Sequence, residues 1–223
     1  LADLNSGISQ KITFEKKGLS NPKWSPDSKW IGFTTSKEGF IDNQDDEFDS
    51  KDNQIYLLPT KIGSPKKLSN HRTSVSNIMW SNDSKYIYFL ASDPKSKEQI
   101  LAERDGYDVY SFDNNRNQKH LWRIDLNGNE ERITDGDFSV LNYDLSDDNK
   151  KILLQKGPNP FLEFRSLSEL WIMDYKTSKE IQLTNNSISE SSAKISPNGQ
   201  KVFFIAACNE KFEEYYNRNL FEV

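Results

Sequence analysis

One phrase occurs four times in this chain. It reads WSPDSKWIGF at 24–33, WSNDSKYIYF at 80–89, LSDDNKKILL at 145–154 and ISPNGQKVFF at 195–204. Each copy joins an apolar strand to a second strand, rich in aromatic and branched residues, through a short polar turn. Pro26 and Pro197 preset φ for the turn, Asp27, Asp83 and Asp148 can bond their own backbone, and Gly199 takes positive φ freely. A second phrase follows the first at 55–69, 121–134 and 170–184 and reads as two further strands around a polar turn, with Asp125 and Asp174 closing the third strand. The unit is therefore four antiparallel strands, returning about every 50–65 residues. Trp24, Trp80, Leu145 and Ile195 are expected at equivalent positions of the first strand.

Such a unit cannot bury both of its faces alone. Stacking four-stranded sheets radially around an axis solves this, which makes an all-β β-propeller the expected fold. A sandwich needs no repeat, and a parallel β-helix uses shorter periods without hairpins. The strand count predicts a partial, unclosed set of about four blades. Residues 1–19 end one blade, 20–74, 75–138 and 139–190 form three more, and 191–223 begin an incomplete one. A four-bladed ring with a spare strand is the alternative. The opening LADLNSG lacks an initiator Met and reads as the middle of a longer chain.

Composition excludes several functions. A formal charge of -5 over 223 residues argues against a nucleic-acid surface, which would be net basic. With 12% aromatic and 28% charged residues, the chain is suited to a folded, well-solvated domain. No apolar run approaches membrane-spanning length. The lone Cys208 rules out an intrachain disulfide and leaves the compartment open between cytoplasm and periplasm or export.

In an antiparallel blade the turns after the first and third strands lie at one end, and the other connections at the opposite end. The first kind is short and repetitive here. The connections after the second strand, at 36–54, 92–120, 156–168 and 207–219, are long and all different, so function is expected among them. The acidic stretch at 42–53, with Asp45, Glu47 and Asp49, resembles part of a calcium loop. It lacks the glycine at the sixth position and the glutamate at the twelfth, and a solvated loop is the better reading. Ser92-Asp93-Pro94 signals a helix that ends at Gly106, followed by an extended segment around Tyr107, Val109 and Tyr110. Arg104, Arg116 and His120 are candidates for binding an anion or carboxylate, the alternative being pairs with nearby aspartates. Glu213 and Glu214, beside Tyr215 and Tyr216, are candidates for holding a cationic amine.

Catalytic residues are not expected. The chain has no G-x-S-x-G, and neither of its histidines, His71 and His120, has a recognisable nucleophile partner. One Cys and two His at scattered positions offer no metal-ligand spacing, and no cofactor is implied.

The four phrases resemble the Trp-Ser-Pro-Asp-Gly-Lys repeats of TolB-like propellers. The stretches RDGYDVYSFDNNRNQKHLWRIDLNGNEERITDGDFSV at 104–140 and SELWIMDYKTSKEIQLT at 168–184 resemble the propeller of the prolyl oligopeptidase family, in its dipeptidyl-peptidase and acylaminoacyl-peptidase branch. The resemblance implies a C-terminal α/β-hydrolase domain as partner, carrying the catalytic serine, aspartate and histidine. None of these three maps onto this sequence. It further implies a propeller that caps the active site and admits peptides as substrates. Some relatives hold the free amine of a substrate with paired propeller glutamates, and Glu213-Glu214 is the candidate pair here. The rival reading is a non-enzymatic TolB-like propeller that binds a protein or peptide partner.

Overall fold

The computed structural model describes residues 18–36, 52–61, 63–106 and 117–223, positions 5, 7, 9 and 12 of the opening stretch, and Tyr215 by its backbone alone. The acidic loop with Asp45, Glu47 and Asp49, Tyr107, Val109, Tyr110 and Arg116 lie outside the described residues, as does most of the opening 1–17.

Among the described residues, four separate antiparallel sheets follow one another along the chain, each a meander of neighbouring strands. The first holds β1 (Ser20–Trp24), β2 (Trp30–Thr35), β3 (Gln54–Pro59) and β4 (Lys66–Lys67). The second holds β5 (Val75–Trp80), β6 (Tyr86–Ser92), β7 (Lys119–Asp125) and β8 (Glu130–Arg132). The third holds β9 (Ser139–Leu145), β10 (Lys151–Gly157), β11 (Glu169–Asp174) and β12 (Glu180–Gln182). The fourth has three strands, β13 (Glu190–Ile195), β14 (Val202–Cys208) and β15 (Glu214–Glu222). None of the sheets is closed, and the architecture is that of a partial β-propeller.

Register shows the repeat to be structural. Trp24 pairs with Ile31, Trp80 with Ile87, Leu145 with Ile152 and Ile195 with Val202, the same place in every first hairpin. The turn between these strands is built the same way each time. A serine at its first position (Ser25, Ser81, Ser146, Ser196) accepts the amide of the residue five places on. In the first three, its hydroxyl donates to Asp27, Asp83 or Asp148, whose carboxylate in turn accepts the amide two residues further along. The fourth position (Ser28, Ser84, Asn149, Gly199) lies at positive φ in all four.

The core is the space between sheets. Alternation along each strand sends one set of side chains to the preceding sheet and the other to the next. Ile55 and Leu57 of β3 meet Ile87, Phe89 and Ile124 of the second sheet. Tyr88, Leu90 and Leu121 meet Val140, Ile152 and Leu154 of the third. Leu153 and Leu170 meet Val202, Phe204 and Ala206 of the fourth. Each such buried Leu, Ile, Val or Phe side chain contributes about 1.5–3 kcal/mol, so the seams hold the stack together. Trp80 adds a polar tie, its indole N–H donating to the Lys23 carbonyl of the preceding sheet.

Two connections differ from the sequence expectation. The helix after β6, α1 (Lys97–Arg104), is capped by Ser96, not by Ser92. Ser92 is still in β6, while Ser96 and Gln99 form a reciprocal capping box that satisfies two amides. The expected loop at 207–219 is largely strand. Asn209 closes a tight turn by accepting the amides of Lys211 and Glu213, so β15 starts at Glu214. The pairing jumps from Cys208–Glu214 to Ala206–Asn219, and the intervening residues of β15 bulge out.

Candidate functional site

The first-hairpin turns are linked to one another along one end of the stack. The Asp27 amide donates to Ser84 Oγ at 3.0 Å, the Asn82 amide to Asn149 Oδ1 at 3.0 Å, and the Asp147 amide to the Pro197 carbonyl at 3.3 Å. That end is scaffold. The connections from second to third strands leave the opposite end, where each sheet carries a different structure.

On the second sheet this end holds α1 and a buried polar cluster. His120, the second residue of β7, is completely buried. Its Nδ1 lies 3.2 Å from Thr134 Oγ1, and its Nε2 is 3.6 Å from Asp93 Oδ2. Arg132 pairs with Asp93 at 3.1 Å and with Asp135 at 2.9 Å. Burial, followed by the Arg132 charge, pushes the His120 pKa down, so the ring is neutral at pH 7. The order hydroxyl, imidazole, carboxylate resembles a catalytic relay, yet Thr134 is itself buried and accepts the Leu121 amide. This cluster ties the connection before β7 to the strands and offers no nucleophile to a substrate.

On the third sheet, a 3-10 helix (Leu162–Leu167) precedes β11. Beside it lies a shallow groove of about 540 Å3, lined by Phe138, Lys156, Pro158, Leu167, Glu169 and Trp171. The Lys156 ammonium sits 3.9 Å from the Phe138 ring centroid and 4.4 Å from that of Trp171, and bonds Glu180 at 2.6 Å. At the seam with the fourth sheet, Glu190 is 2% exposed. It accepts from Thr184 Oγ1 at 2.9 Å and Asn186 Nδ2 at 2.8 Å, and burial raises its pKa to about 7. The Asn186 amide donates to Glu169 Oε1, whose second oxygen is buried without a partner.

On the fourth sheet, a groove of about 700 Å3 is lined by Asn209, Glu210, Lys211, Glu213, Leu220 and Phe221, among others. Glu213 accepts from Asn209 Nδ2 at 2.7 Å. Glu214, the first residue of β15, is exposed and does not line this groove. Arg104 is exposed on α1 and pairs with Asp105 at 3.1 Å. Among the described residues, no hydrogen bond or ion pair joins Arg104 or His120 to Glu213 or Glu214. Nor does any group of three or more His, Cys, Asp or Glu side chains there have the geometry to hold a metal ion. No described helix is long and apolar enough to cross a membrane.

Sequence reasoning missed Glu190, Glu169 and Lys156. The signal for Glu190 lay in the repeat itself: it stands five residues before the end of a first strand, where the second and third sheets have Val75 and Val140.

No family profile matches the sequence. A curated relative, the uncharacterized peptidase YuxL of Bacillus subtilis strain 168, is 28% identical over 109 residues, which is 48% of this chain and 15% of that protein. Among solved structures, a puromycin-hydrolyzing peptidase of Mycobacterium tuberculosis aligns with a TM-score of 0.61 at 8% identity, over 96% of this chain and 28% of its own. The acylaminoacyl peptidase of Pyrococcus horikoshii gives 0.56 at 16% identity, over 92% and 30%. A putative TolB from Agrobacterium tumefaciens gives 0.57 at 17% identity, over 95% and 68%. The fold is thus the propeller fold found in prolyl oligopeptidase-type peptidases and in TolB. The resemblance carried by the repeated phrases extends to the three-dimensional structure.

Proposed function

We propose that this chain is the propeller segment of a serine peptidase of the prolyl oligopeptidase type. In this reading it is non-catalytic. It covers the active site of a C-terminal α/β-hydrolase domain and filters or positions peptide substrates. One observation carries the reading: a uniform, hydrogen-bonded set of turns at one end opposes dissimilar, groove-bearing connections at the other. Rigid repeats supply the frame, and variable loops supply contacts to whatever the frame covers. The peptidase relative and the peptidase propellers of like fold support it, as does the want of an elbow serine in the sequence.

Glu213, which lines its groove together with Glu210, is the acid proposed for a peptide amine. A second reading, a TolB-like propeller that binds a protein or peptide without catalysis, is favoured by the large share of the Agrobacterium TolB chain that aligns. The reading frame beyond codon 223 separates the two. A G-x-S-x-G followed by aspartate and histidine is the expected result, and a frame with no hydrolase sequence would overturn the peptidase reading.

A further inference from the structure

Lys119 opens β7 at the loop end of the second sheet and is half-buried. The neighbouring Gln118 side chain donates to the Pro158 carbonyl at 3.1 Å, which draws this strand end against the connection that carries the 3-10 helix of the third sheet. Arg165 lies on that helix, exposed. No carboxylate comes within ion-pair distance of Lys119 or Arg165 among the described residues, whereas Arg104, Arg123, Arg132 and Lys156 all have acidic partners. Asp137, one of the acids near this seam, accepts the Gln118 side-chain amide at 2.7 Å, and Glu169, which lines the adjoining groove, accepts the Asn186 amide. A partly desolvated ammonium without a counter-ion is costly, and a second cation beside it adds to the cost. Consistent with this, burial and then the Arg165 charge push the Lys119 pKa down.

The same seam is apolar where it opens. Leu162 is 71% exposed and Leu167 51% exposed, and no residue of the 3-10 helix is buried. Leu167 forms one wall of the 540 Å3 groove, with Phe138 and Trp171 on the others. Large exposed leucines, an aromatic-walled groove that Glu169 also lines, and two cations without an acidic partner among the described residues make a surface with two complementary requirements, apolar and anionic.

We propose that this seam binds a short peptide segment in which an apolar side chain adjoins a carboxylate. The groove against Leu167 and Trp171 takes the side chain, and Lys119 with Arg165 takes the carboxylate. The carboxylate is either a free C-terminus or an internal acidic side chain. The proposal rests on the peptide-handling reading above and names the chemistry handled at this end.

Three fluorescein-labelled peptides test it on the 223-residue chain by fluorescence anisotropy: Ala-Ala-Leu as the free acid, Ala-Ala-Leu as the amide, and Ala-Leu-Glu-Ala as the amide. The free acid is expected to bind about ten- to a hundredfold more tightly than its amide, as a charge-assisted contact requires. Binding of the third peptide would show that an internal acid also serves, and failure to bind would assign the site to C-termini. Lys119→Gln/Arg165→Gln should erase the preference for acid over amide, and added salt should weaken only the acid. Leu167→Ser should weaken acid and amide together. Equal affinity of acid and amide for the unaltered chain, a preference that survives the double substitution, or no binding at millimolar peptide would overturn the proposal. None of those results touches the peptidase reading, which stands or falls on the hydrolase sequence.

Discussion

Glu190 pairs with Ala206 in its hairpin as Val75 pairs with Ala91 and Val140 with Lys156, so a carboxyl stands where the repeat calls for valine. Its surroundings are acidic or neutral: Glu169 of β11 raises its pKa further, and the Cys208 thiol of β14 is pushed up by burial and by Glu190. With a folded pKa of about 7 against an ordinary 4.5, the folded state holds the proton that the unfolded chain releases. Stability therefore falls as pH rises from 4.5 through 7, by roughly 3 kcal/mol at about 1.4 kcal/mol per unit, and levels off above. Glu190→Gln removes this loss but gives up one of two accepted hydrogen bonds, which costs about 1 kcal/mol. In urea titrations the variant is expected to be the weaker protein at pH 4 and the stronger by about 2 kcal/mol at pH 8. An offset that is the same at both pH values would show that Glu190 does not hold its proton.

At the scale of elements, the first-hairpin turn was legible because its residue types are chemically forced. Aspartate at the third position of the first three copies and glycine at the fourth position of the last spell the turn out. The serine at the first position was less visible, since serine is common in any polar turn and only the repeated hydrogen bonds reveal its role. The ends of the loops differ from the sequence expectation for a related reason. Ser92-Asp93-Pro94 carries a helix-start signal, but cross-strand pairing with Lys119 keeps Ser92 in β6, and the weaker-looking Ser96 caps α1. At 209–213 the sequence shows no turn glycine, and Phe212 takes the positive φ instead. The seam groups escaped altogether, because sequence alone does not show which carboxylates and lysines face one another across sheets. The turns also provide a test. Ser28 has φ 58°, and no hydrogen bond from its side chain to another described residue accompanies this conformation. The left-handed region costs an L-residue about 1–2 kcal/mol, and glycine loses about 0.5–1 kcal/mol in chain entropy. Ser28→Gly should thus stabilise by up to about 1 kcal/mol in equilibrium unfolding. Ser84→Gly should gain less, because Ser84 Oγ accepts the Asp27 amide across the seam. A larger gain at Ser84 would contradict the linked-turn description.

For the molecule as a whole, the seams are interchangeable surfaces. Ile55, Leu121 and Leu170 occupy one register position on successive third strands and are fully buried against the next sheet, while Leu220 at the same position of β15 is 70% exposed. Phe203, the counterpart of the buried Tyr88 and Leu153, is likewise exposed. Each sheet is built to be one layer of a stack, and such a stack supplies a frame and its loops. The proposed division of labour between this frame and a separate hydrolase is read by an active-site serine probe. A fluorophosphonate should leave residues 1–223 unlabelled and should label the product of the complete reading frame at one serine outside them. Stoichiometric labelling of a serine within residues 1–223, or no labelling of the complete product, would contradict the account.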